Sequence, residues 1–441
     1  MKMDNHPTVV KVRANGAAQK RSGPIDATFL KDLALECGAD DVGLVEVNRP
    51  ALEMDRPYIG KVFEPAKSLL SFVIRMNREP VRSPARSVAN QEFHAVYDDV
   101  NDTARRIVRA LEAQGIPACN AVAAFPMEVQ LPGRGWMVSH KPVAVEAGLG
   151  MIGLHRNVIH PKFGSFVLLG TILIGEEATA YDKPIDYNPC LGCNLCVAAC
   201  PVGAIKTDGG FDFMSCFTHN YREFLGNFGD WVHTLADAKS AKDYRKRFTD
   251  GETASIWQSL SFKPGYKAAY CLAVCPAGED AINPFLEDKK SYVKQVLRPL
   301  TEQEETVYVL PHSDAEKHAG QRFPHKEIKR VRPQIRPQSV DMLLRMMPLS
   351  FQRGRAKGVD ARYHWTFTGD EKIQATIEIK DSQLTIERDH VGEADITVTA
   401  DSATWLKVVS REYNVLAALA LRKVRVKGDM TLFRAFGKCF V

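Results

Sequence analysis

Seven of the ten cysteines lie between positions 190 and 275, and their spacing is typical of metal ligands. Four of them form the run Cys190-x2-Cys193-x2-Cys196-x3-Cys200, which is followed by Pro201. Three thiolates at this spacing wrap one iron–sulfur cubane, and a fourth that precedes proline ligates a second cluster in two-cluster ferredoxins. Structural zinc sites usually combine two Cys-x2-Cys pairs instead. The run therefore predicts a 4Fe–4S cluster.

A second cluster needs thiolates further along the chain, and the sequence Cys271-x3-Cys275-Pro276 repeats the end of the first motif. This pseudo-symmetry predicts that Cys275 returns to complete cluster one. The remaining thiolates are then assigned to cluster two. The predicted metal ligands are Cys190, Cys193, Cys196 and Cys275 for cluster one and Cys200, Cys216 and Cys271 for cluster two.

The ligand count leaves cluster two one thiolate short. Two four-cysteine cubanes need eight thiolates, whereas this region offers seven, because Ala268 stands where the repeated motif would begin with cysteine. Three interpretations remain open: a three-iron cluster, a non-cysteine ligand such as His219 or Tyr270, or an open iron site. Cys216 could also be a buried free thiol.

Polar and glycine-rich residues precede the cysteine block. His140 is the first choice for a proton donor because the pKa of an unperturbed histidine lies near neutrality, and Lys141 could hold an anionic group. Gly148, Gly150 and Gly153 fit the dinucleotide fingerprint, but no acid lies in residues 165–175, where the fingerprint requires one. A solvated polar loop is the simpler interpretation of this segment.

Alternating helix and strand patterns predict an α/β domain over residues 24–180 that positions these groups. Asp26 is expected to cap a helix that ends at Cys37, and strands are expected at 41–46 and 69–74. A helix is predicted over 101–114, and strand-like runs follow within 158–174. Around this domain we expect a flexible tail (1–23), a two-cluster ferredoxin-like domain (181–300), a basic linker (301–335) and a C-terminal α+β domain (336–441) with short alternating strands.

Composition limits the function further. The 441 residues are 45% hydrophobic and 25% charged, as in ordinary globular proteins. The stretch from Arg322 to Arg336 holds six basic residues and one acid, which accounts for the whole net charge of +5, so no nucleic-acid partner is expected. The longest apolar run, 166–175, is half the length of a membrane span. With no targeting segment evident, we expect a cytoplasmic location where the thiols stay reduced.

Residues of about 30–300 resemble the epoxyqueuosine reductase family and the related reductive dehalogenases. The likeness rests on 38–45 (Gly-Ala-Asp-Asp-Val-Gly-Leu-Val), on Phe93-His94-x2-Tyr97, on 147–153 (Ala-Gly-Leu-Gly-Met-Ile-Gly), on 163–165, and on the cysteine block that follows in the same order. The resemblance implies a corrinoid (cobalamin) held base-off beside two clusters. It also implies that the glycine-rich loop packs on the macrocycle, with cofactor-binding residues Gly148, Gly150, Gly153, His155 and Arg156. Beside such a cofactor, His140 and Lys141 are the candidate catalytic residues on the basis of their side-chain chemistry.

The sequence departs from this family at one catalytic position. Epoxyqueuosine reductases place an Asp, as general acid, shortly before the Ala-Gly-Leu-Gly stretch, whereas residues 136–144 here read Trp-Met-Val-Ser-His-Lys-Pro-Val-Ala. Epoxyqueuosine reduction itself is therefore not expected. An Asp-x-His-x2-Gly motif is absent from the sequence as well, so a histidine ligand below cobalt is not indicated.

Residues of about 336–441 resemble the sterol-carrier-protein family. The motifs include 358–361 (Gly-Val-Asp-Ala), 367–369 (Phe-Thr-Gly), Ser402-x2-Thr-Trp405 and 424–430 (Val-Arg-Val-Lys-Gly-Asp-Met). The resemblance implies a five-stranded sheet with helices that enclose an apolar tunnel, lined here by Trp405, Leu406, Val409, Leu416, Leu419, Leu432 and Phe436. The alternative is that these side chains fill an ordinary core and that the domain only dimerises or docks.

Together these features predict an iron–sulfur reductase, corrinoid-dependent, that acts on an apolar or acyl-type substrate. Its expected partners are a low-potential electron donor of ferredoxin or flavodoxin type and a hydrophobic small molecule or lipid. The alternative is a two-cluster electron-transfer and binding protein without corrinoid and with a lipid-binding C-terminal domain. A third hypothesis is a lipid-binding sensor whose cluster redox state controls ligand release.

Overall fold

The computed structural model describes residues 3–14, 23–128, 136–333 and 336–441. Within the predicted flexible tail, Met3–Asn5 form a 3-10 turn and Pro7–Ala14 form helix α1, and neither contains a buried residue. Residues 1–2 and 15–22 of the tail lie outside the described residues. No helix in the described part of the chain is long and apolar enough to cross a membrane.

A four-stranded antiparallel sheet with strand order β1-β2-β6-β3 forms the centre of the first region. Strand β2 is buried along almost its whole length, because it lies inside the sheet between β1 and β6. Helix α2 begins where Asp26 accepts a hydrogen bond from the Phe29 amide (2.8 Å) and ends before Gly38, which has φ 106°. The elements in chain order are α2 (Ala27–Glu36), β1 (Asp41–Glu46), a 3-10 turn (Pro50–Leu52), α3 (Arg56–Val62), β2 (Ser68–Arg75), α4 (Arg78–Arg82), α5 (Arg86–Ala113), β3 (Ala118–Asn120), α6 (His140–Glu146), β4 (Met151–Ile152), β5 (Val158–Ile159) and β6 (Val167–Ile174).

Two elements of this region differ from the sequence-based expectation. Helix α5 begins fifteen residues before the predicted start at Asn101, because Phe93, Val96 and Val100 extend the buried face that Ile107 continues. Residues 142–145, where a dinucleotide fingerprint would need a strand before its glycines, belong to helix α6. A dinucleotide fingerprint needs a strand before the loop and a helix after it. Here the helix precedes the loop and strand β4 follows it, so the segment does not have that architecture.

The cysteine-rich region is helical. The span between Cys216 and Cys271 folds into α9, α10 and α11, and α11 begins with a capping box between Thr249 and Glu252. The helices are α7 (Leu195–Ala199), α8 (Phe213–Asn220), α9 (Asn227–Asp237), α10 (Ala241–Arg245), α11 (Asp250–Phe262), α12 (Tyr270–Ala273), α13 (Glu279–Glu287), α14 (Lys289–Tyr292) and α15 (Arg298–Thr301), with π-helical turns at Arg222–Gly226 and Val293–Leu297.

The segment expected to be a basic linker, 301–335, is instead folded over most of its described length. It contains β7 (Thr306–Val309), α16 (Asp314–Arg322) and β8 (Glu327–Arg330), and β7 pairs with β8 in parallel. Its apolar side chains pack in a small core that also contacts Cys200 and Cys216. Its cations are neutralised by acids both inside and outside the segment: Lys326 pairs with Glu305, Lys329 with Glu252 and Arg332 with Asp237.

The C-terminal region is a five-stranded sheet with order β11-β10-β9-β12-β13, in which β9 and β12 are parallel and the other pairs antiparallel. Alternate residues of β9 are buried, and Trp365 packs against Trp405 (4.7 Å) and Phe436 (5.2 Å). Two of the residues expected to line a tunnel thus lie in the core, while Leu416 is 69% exposed. The elements are α17 (Val340–Ser350), β9 (Ala361–Thr368), β10 (Gln374–Lys380), β11 (Gln383–Arg388), β12 (Ile396–Asp401), α18 (Ser402–Val409), α19 (Val415–Ala420), β13 (Val424–Gly428) and α20 (Met430–Lys438).

Candidate iron–sulfur and active site

Four of the seven clustered cysteines line one small pocket. Cys190 and Cys193 approach it from the loop before α7, Cys196 from the first turn of α7, and Cys275 from just beyond the end of α12. The Leu154 amide donates a hydrogen bond to the Cys190 Sγ (3.3 Å). We call these four residues the first thiol group. Its membership is the one that the pseudo-symmetry of the two motifs predicts for cluster one.

The other three cysteines, Cys200, Cys216 and Cys271, form a second thiol group. Burial, followed by the neighbouring thiols of Cys200 and Cys271, raises the pKa of Cys216 well above its ordinary value. Burial and Cys200 likewise raise the pKa of Cys271 to about 12. The Cys200 Sγ accepts a hydrogen bond from the Ala204 amide (3.2 Å). Thiols packed together in this way stay protonated until a metal displaces the protons, and the donor set therefore fits an iron–sulfur cluster.

In the described ranges, no three His, Cys, Asp or Glu side chains come close enough together to hold one metal ion. The choice of clusters over zinc rests on the ligand spacing along the chain. A run of three cysteines followed by Cys-Pro is typical of a cubane, whereas structural zinc sites usually combine two Cys-x2-Cys pairs.

The two motifs also match in backbone conformation. Asn194, which follows Cys193, has a left-handed φ of 54°, and Ala269, which follows Ala268, has φ 55°. Both residues precede a short helix that carries the next cysteine of its motif. Ala268 therefore occupies the place of a ligand, and a 5% exposed methyl group stands where a thiolate would be. The Ala268 and Ala269 amides donate to the Asn220 Oδ1 (3.1 and 2.7 Å), which fixes this turn.

The two side chains considered as a fourth ligand differ in their availability. The Tyr270 hydroxyl donates to Glu305 (2.6 Å) and is committed to that contact. His219 is buried, and its Nδ1 accepts a hydrogen bond from the Tyr308 amide (3.3 Å). Burial, with two lysines nearby, lowers the pKa of His219 to about 3. Its Nε2 has no hydrogen-bond partner in the described part of the chain. Of the two side chains, only that of His219 therefore has an atom that is free to ligate iron.

A cluster of tyrosines lies beside the second thiol group. The hydroxyls of Tyr97 and Tyr266 are 3.0 Å apart, and the Tyr221 ring meets the Tyr266 ring edge-on at 5.5 Å. Burial is the largest cause of the raised pKa of Tyr266, to which Tyr97, Tyr221 and Cys216 also contribute. Sequence reasoning noted Tyr97 only through a resemblance and missed the other two. The aromatic repeat Phe213, Phe217, Tyr221, whose rings stack along α8, was the available signal.

Lys141 lies near the same thiols. Its ammonium group donates to the Arg156 carbonyl (2.7 Å) and to the Asn157 Oδ1 (2.9 Å). Burial lowers the pKa of Lys141, while the thiols of Cys271 and Cys216 oppose that shift. Of the two residues predicted to be catalytic, Lys141 is the one that the structure brings to the second thiol group.

His140 is engaged by the protein on both sides of its ring. Its Nε2 donates to the Val122 carbonyl (2.8 Å), and its Nδ1 lies 2.8 Å from the Thr171 hydroxyl, which therefore donates to it. Burial lowers the pKa of His140 and keeps the ring neutral. The residue ties the start of α6 to β6, and its predicted role as a proton donor stays a prediction.

The glycine-rich loop is packed against the protein itself. A Cβ on Gly148 would lie 2.8 Å from the Lys183 carbonyl oxygen, and a Cβ on Gly150 would lie 2.4 Å from that of Ile159. Gly153 packs against the Ile159 side chain. These close approaches account for the glycines without a ligand.

The residues after the glycine loop cover the first thiol group. His155 lines its pocket, and burial, with a smaller contribution from Lys141, lowers the pKa of His155 to about 4. Its Nε2 is buried without a partner among the described residues. The Arg156 guanidinium donates to the Gly209 carbonyl (2.6 Å) and so ties the loop to the segment between α7 and α8.

Two segments match models of known families. Residues 183–206 match the 4Fe-4S binding domain, and residues 346–441 match the SCP-2 sterol transfer family. The first match contains the four cysteines of the first motif, and the second contains most of the C-terminal sheet region.

Curated relatives are named epoxyqueuosine reductases. The protein of Synechococcus sp. (strain RCC307) is 32% identical over 192 residues, which are 43% of this chain and 54% of that protein. The protein of Cyclobacterium marinum is 26% identical over 52% of this chain and 76% of its own length. The chain thus spans about half the length of the Synechococcus relative.

Among solved structures, that of epoxyqueuosine reductase from Streptococcus thermophilus aligns over 61% of this chain and 74% of its own, with 18% identity and a TM-score of 0.36. The resemblances predicted from the sequence motifs are confirmed by the family models and the relatives together: part of the chain is similar to epoxyqueuosine reductases, residues 183–206 match a 4Fe-4S binding domain, and residues 346–441 match the SCP-2 sterol transfer family.

Proposed function

We propose that the protein is an iron–sulfur reductase that uses a corrinoid to act on an apolar or acyl-type substrate. The observation that carries this proposal is the connection between the two thiol groups. Cys271 of the second group lies four residues before Cys275 of the first, and the second group adjoins Lys141 and the tyrosine cluster. Electrons from a ferredoxin- or flavodoxin-type donor would enter at the first thiol group. From there they would have a short path to the second thiol group, which lies beside side chains that can donate protons.

The first cluster would be held by Cys190, Cys193, Cys196 and Cys275, and both clusters would supply one-electron transfer. The second would be held by Cys200, Cys216 and Cys271 alone. Ala268 supports this three-thiolate assignment because its methyl group takes the position of the fourth ligand.

We infer that a corrinoid would lie beside the tyrosine cluster rather than on the glycine-rich loop. Carbonyl oxygens of the protein already approach Gly148 and Gly150, so that loop offers no open flat face. Tyr97, Tyr221 and Tyr266 offer aromatic rings beside the second thiol group, and Lys141 could hold polar side groups of the cofactor. A corrinoid bound there would supply low-potential reductive chemistry.

The chain's own residues would supply the proton that such a reduction consumes. Burial raises the pKa of both Tyr97 and Tyr266, so both phenols are protonated at neutral pH. Because the two hydroxyls share a hydrogen bond, one could donate its proton to a substrate while the other donates a hydrogen bond to the first. His140 would act by holding α6, and with it Lys141, in position.

The C-terminal region would bind the apolar substrate or a lipid. Its match to the SCP-2 family supports this role, as do exposed apolar side chains at Leu416 and Leu421 on and beside α19. Binding of a fluorescent fatty acid to the full chain, compared with Leu416→Glu, tests it. If both proteins bind equally well, the α19 surface is not the lipid site.

A second function, electron transfer without a corrinoid, is favoured by one observation: the protein itself packs against the glycine loop that was expected to contact the macrocycle. Corrinoid analysis separates the two functions. Protein produced anaerobically with cobalamin should retain the cofactor, and Lys141→Met should lose it while the exposed control Lys290→Met should not. Wild-type protein with clusters but no corrinoid would support electron transfer alone.

A further inference from the structure

A cavity of about 550 Å³ lies between the first half of α5, the end of α11 and the start of β7. Its size is typical of small-molecule sites, which span roughly 300–1,000 Å³. Its lining is both charged and aromatic, and includes Arg86, Asn90, Phe262, Tyr266, Lys267 and Tyr308. Tyr266, a member of the tyrosine cluster, forms part of its wall, and none of the seven clustered cysteines lines it.

Arg86 has an unusual set of contacts within this cavity. Its Nη1 donates to the Ser83 carbonyl (3.0 Å), and its guanidinium lies 5.1 Å from the centre of the Tyr270 ring. Its Nε and Nη2 are buried and have no hydrogen-bond partner among the described residues. These two nitrogens form one edge of the planar guanidinium, and that edge binds both oxygens of a carboxylate in parallel.

The other charges that line the cavity are compensated. Lys263 pairs with Asp98 (2.6 Å), and Lys267 pairs with Glu223. Glu305 pairs with Lys326 (2.7 Å) and also accepts from the Tyr270 hydroxyl. Burial lowers the pKa of Arg86, and Tyr270 and Glu305 only partly oppose this shift. A buried cation without a directly bonded counter-ion is costly, and an anionic ligand would remove that cost.

We propose that this cavity binds a small organic acid with an apolar or aromatic body, whose carboxylate is held by the Nε and Nη2 of Arg86. The rings of Phe262, Tyr266 and Tyr308 provide the surface for the apolar part. Phe262 is 64% exposed, which places an apolar rim at the edge of the cavity. The carboxylate is held by Arg86, so the site needs neither the clusters nor a corrinoid, although it shares Tyr266 with the tyrosine cluster.

Isothermal titration calorimetry on the full holoprotein with benzoate as the probe tests this site. Benzamide, the neutral analogue, measures the contribution of the charge, and phenyl phosphate and inorganic phosphate test for a phosphate site instead. The variants are Arg86→Gln, which removes the charge, Arg86→Lys, which keeps the charge without the two-pronged edge, and Arg105→Gln, a control at an exposed arginine of the same helix.

Benzoate should bind wild type and Arg105→Gln equally, and should bind Arg86→Gln at least about 10-fold more weakly, with Arg86→Lys in between. Benzamide should bind at least about 10-fold more weakly than benzoate. Without ligand, Arg86→Gln should unfold at a higher temperature than wild type, because the unpaired charge is gone. Equal benzoate affinity in wild type and Arg86→Gln, no binding at about 10 mM benzoate, or tighter binding of either phosphate probe would overturn the proposal.

Discussion

Ala268→Cys should restore the missing ligand of the second cluster, and the backbone requires no change to accept it. The Ala268 amide keeps its hydrogen bond to Asn220 (3.1 Å), and the φ of 55° at Ala269 already matches the 54° that follows Cys193 in the first motif. One sulfur is added to a side chain that is 5% exposed. In the metal-free protein this overpacking should cost about 1–3 kcal/mol of unfolding free energy, and metal binding should offset that loss.

The assay is iron content and EPR before and after mild oxidation of anaerobically purified protein. A cluster held by three thiolates loses its unprotected iron, so wild type should end near roughly seven irons per chain with a three-iron EPR signal, whereas Ala268→Cys should keep roughly eight without that signal. Ala269→Cys is the matched control, because the equivalent residue in the first motif, Asn194, is not a ligand. If wild type and Ala268→Cys respond identically to oxidation, the three-thiolate assignment is wrong.

The remaining predictions concern the first cluster, acid stability and the glycine loop. Cys275→Ser should alter the iron content and absorption spectrum of the first cluster although it lies 75 residues beyond Cys200, while Cys37→Ser should not; an unchanged spectrum in Cys275→Ser would refute the pairing. The pKa of Glu252 is lowered, because Lys329 and the Thr249 amide outweigh the opposing effect of burial. The ionised Glu252 therefore stabilises the folded protein fully above the unfolded-state pKa. This stabilisation is lost as the pH falls through the lower folded-state pKa. Glu252→Gln should cost about 1–2 kcal/mol near neutral pH and converge with wild type in acid, as measured by urea unfolding across pH; a constant difference at all pH values contradicts the assignment. Gly150→Ala should lower the unfolding free energy by more than about 2 kcal/mol, because its Cβ would lie 2.4 Å from a carbonyl oxygen. Gly60→Ala in α3 is the control: nothing lies within 4 Å of that Cβ, so the change should be neutral or stabilising by up to about 1 kcal/mol. Equal changes in the unfolding free energy of the two variants would show that the glycine-rich loop is not tightly packed.

Local patterns predicted much of the fold. The Asp26 cap and the Gly38 stop bound α2 as expected, and the alternation of apolar residues located the strands of the C-terminal sheet, because both signals act over a few residues. The assignment of the seven cysteines to two clusters could also be made from the sequence, since ligand spacing is dictated by the shape of a cubane, and that assignment stays a prediction.

Long-range contacts account for what the sequence did not predict. Tyr97, Tyr221 and Tyr266 lie on three segments far apart in the chain, and no spacing rule brings them together. The segment 301–335 was expected to be a linker because it carries scattered polar residues, prolines and a basic run. Some acids that pair with its cations, such as Glu252 and Asp237, lie more than seventy residues earlier in the chain.

The central claim, a reductase with two clusters and a corrinoid, is tested most directly by the cofactor content of full-length protein produced anaerobically with cobalamin. Iron, acid-labile sulfide, zinc and corrinoid are measured on one sample. We predict roughly seven to eight irons with a similar amount of sulfide, about one corrinoid and no stoichiometric zinc. Zinc without sulfide would contradict the iron–sulfur assignment, and a full set of clusters without corrinoid would contradict the proposed reductase.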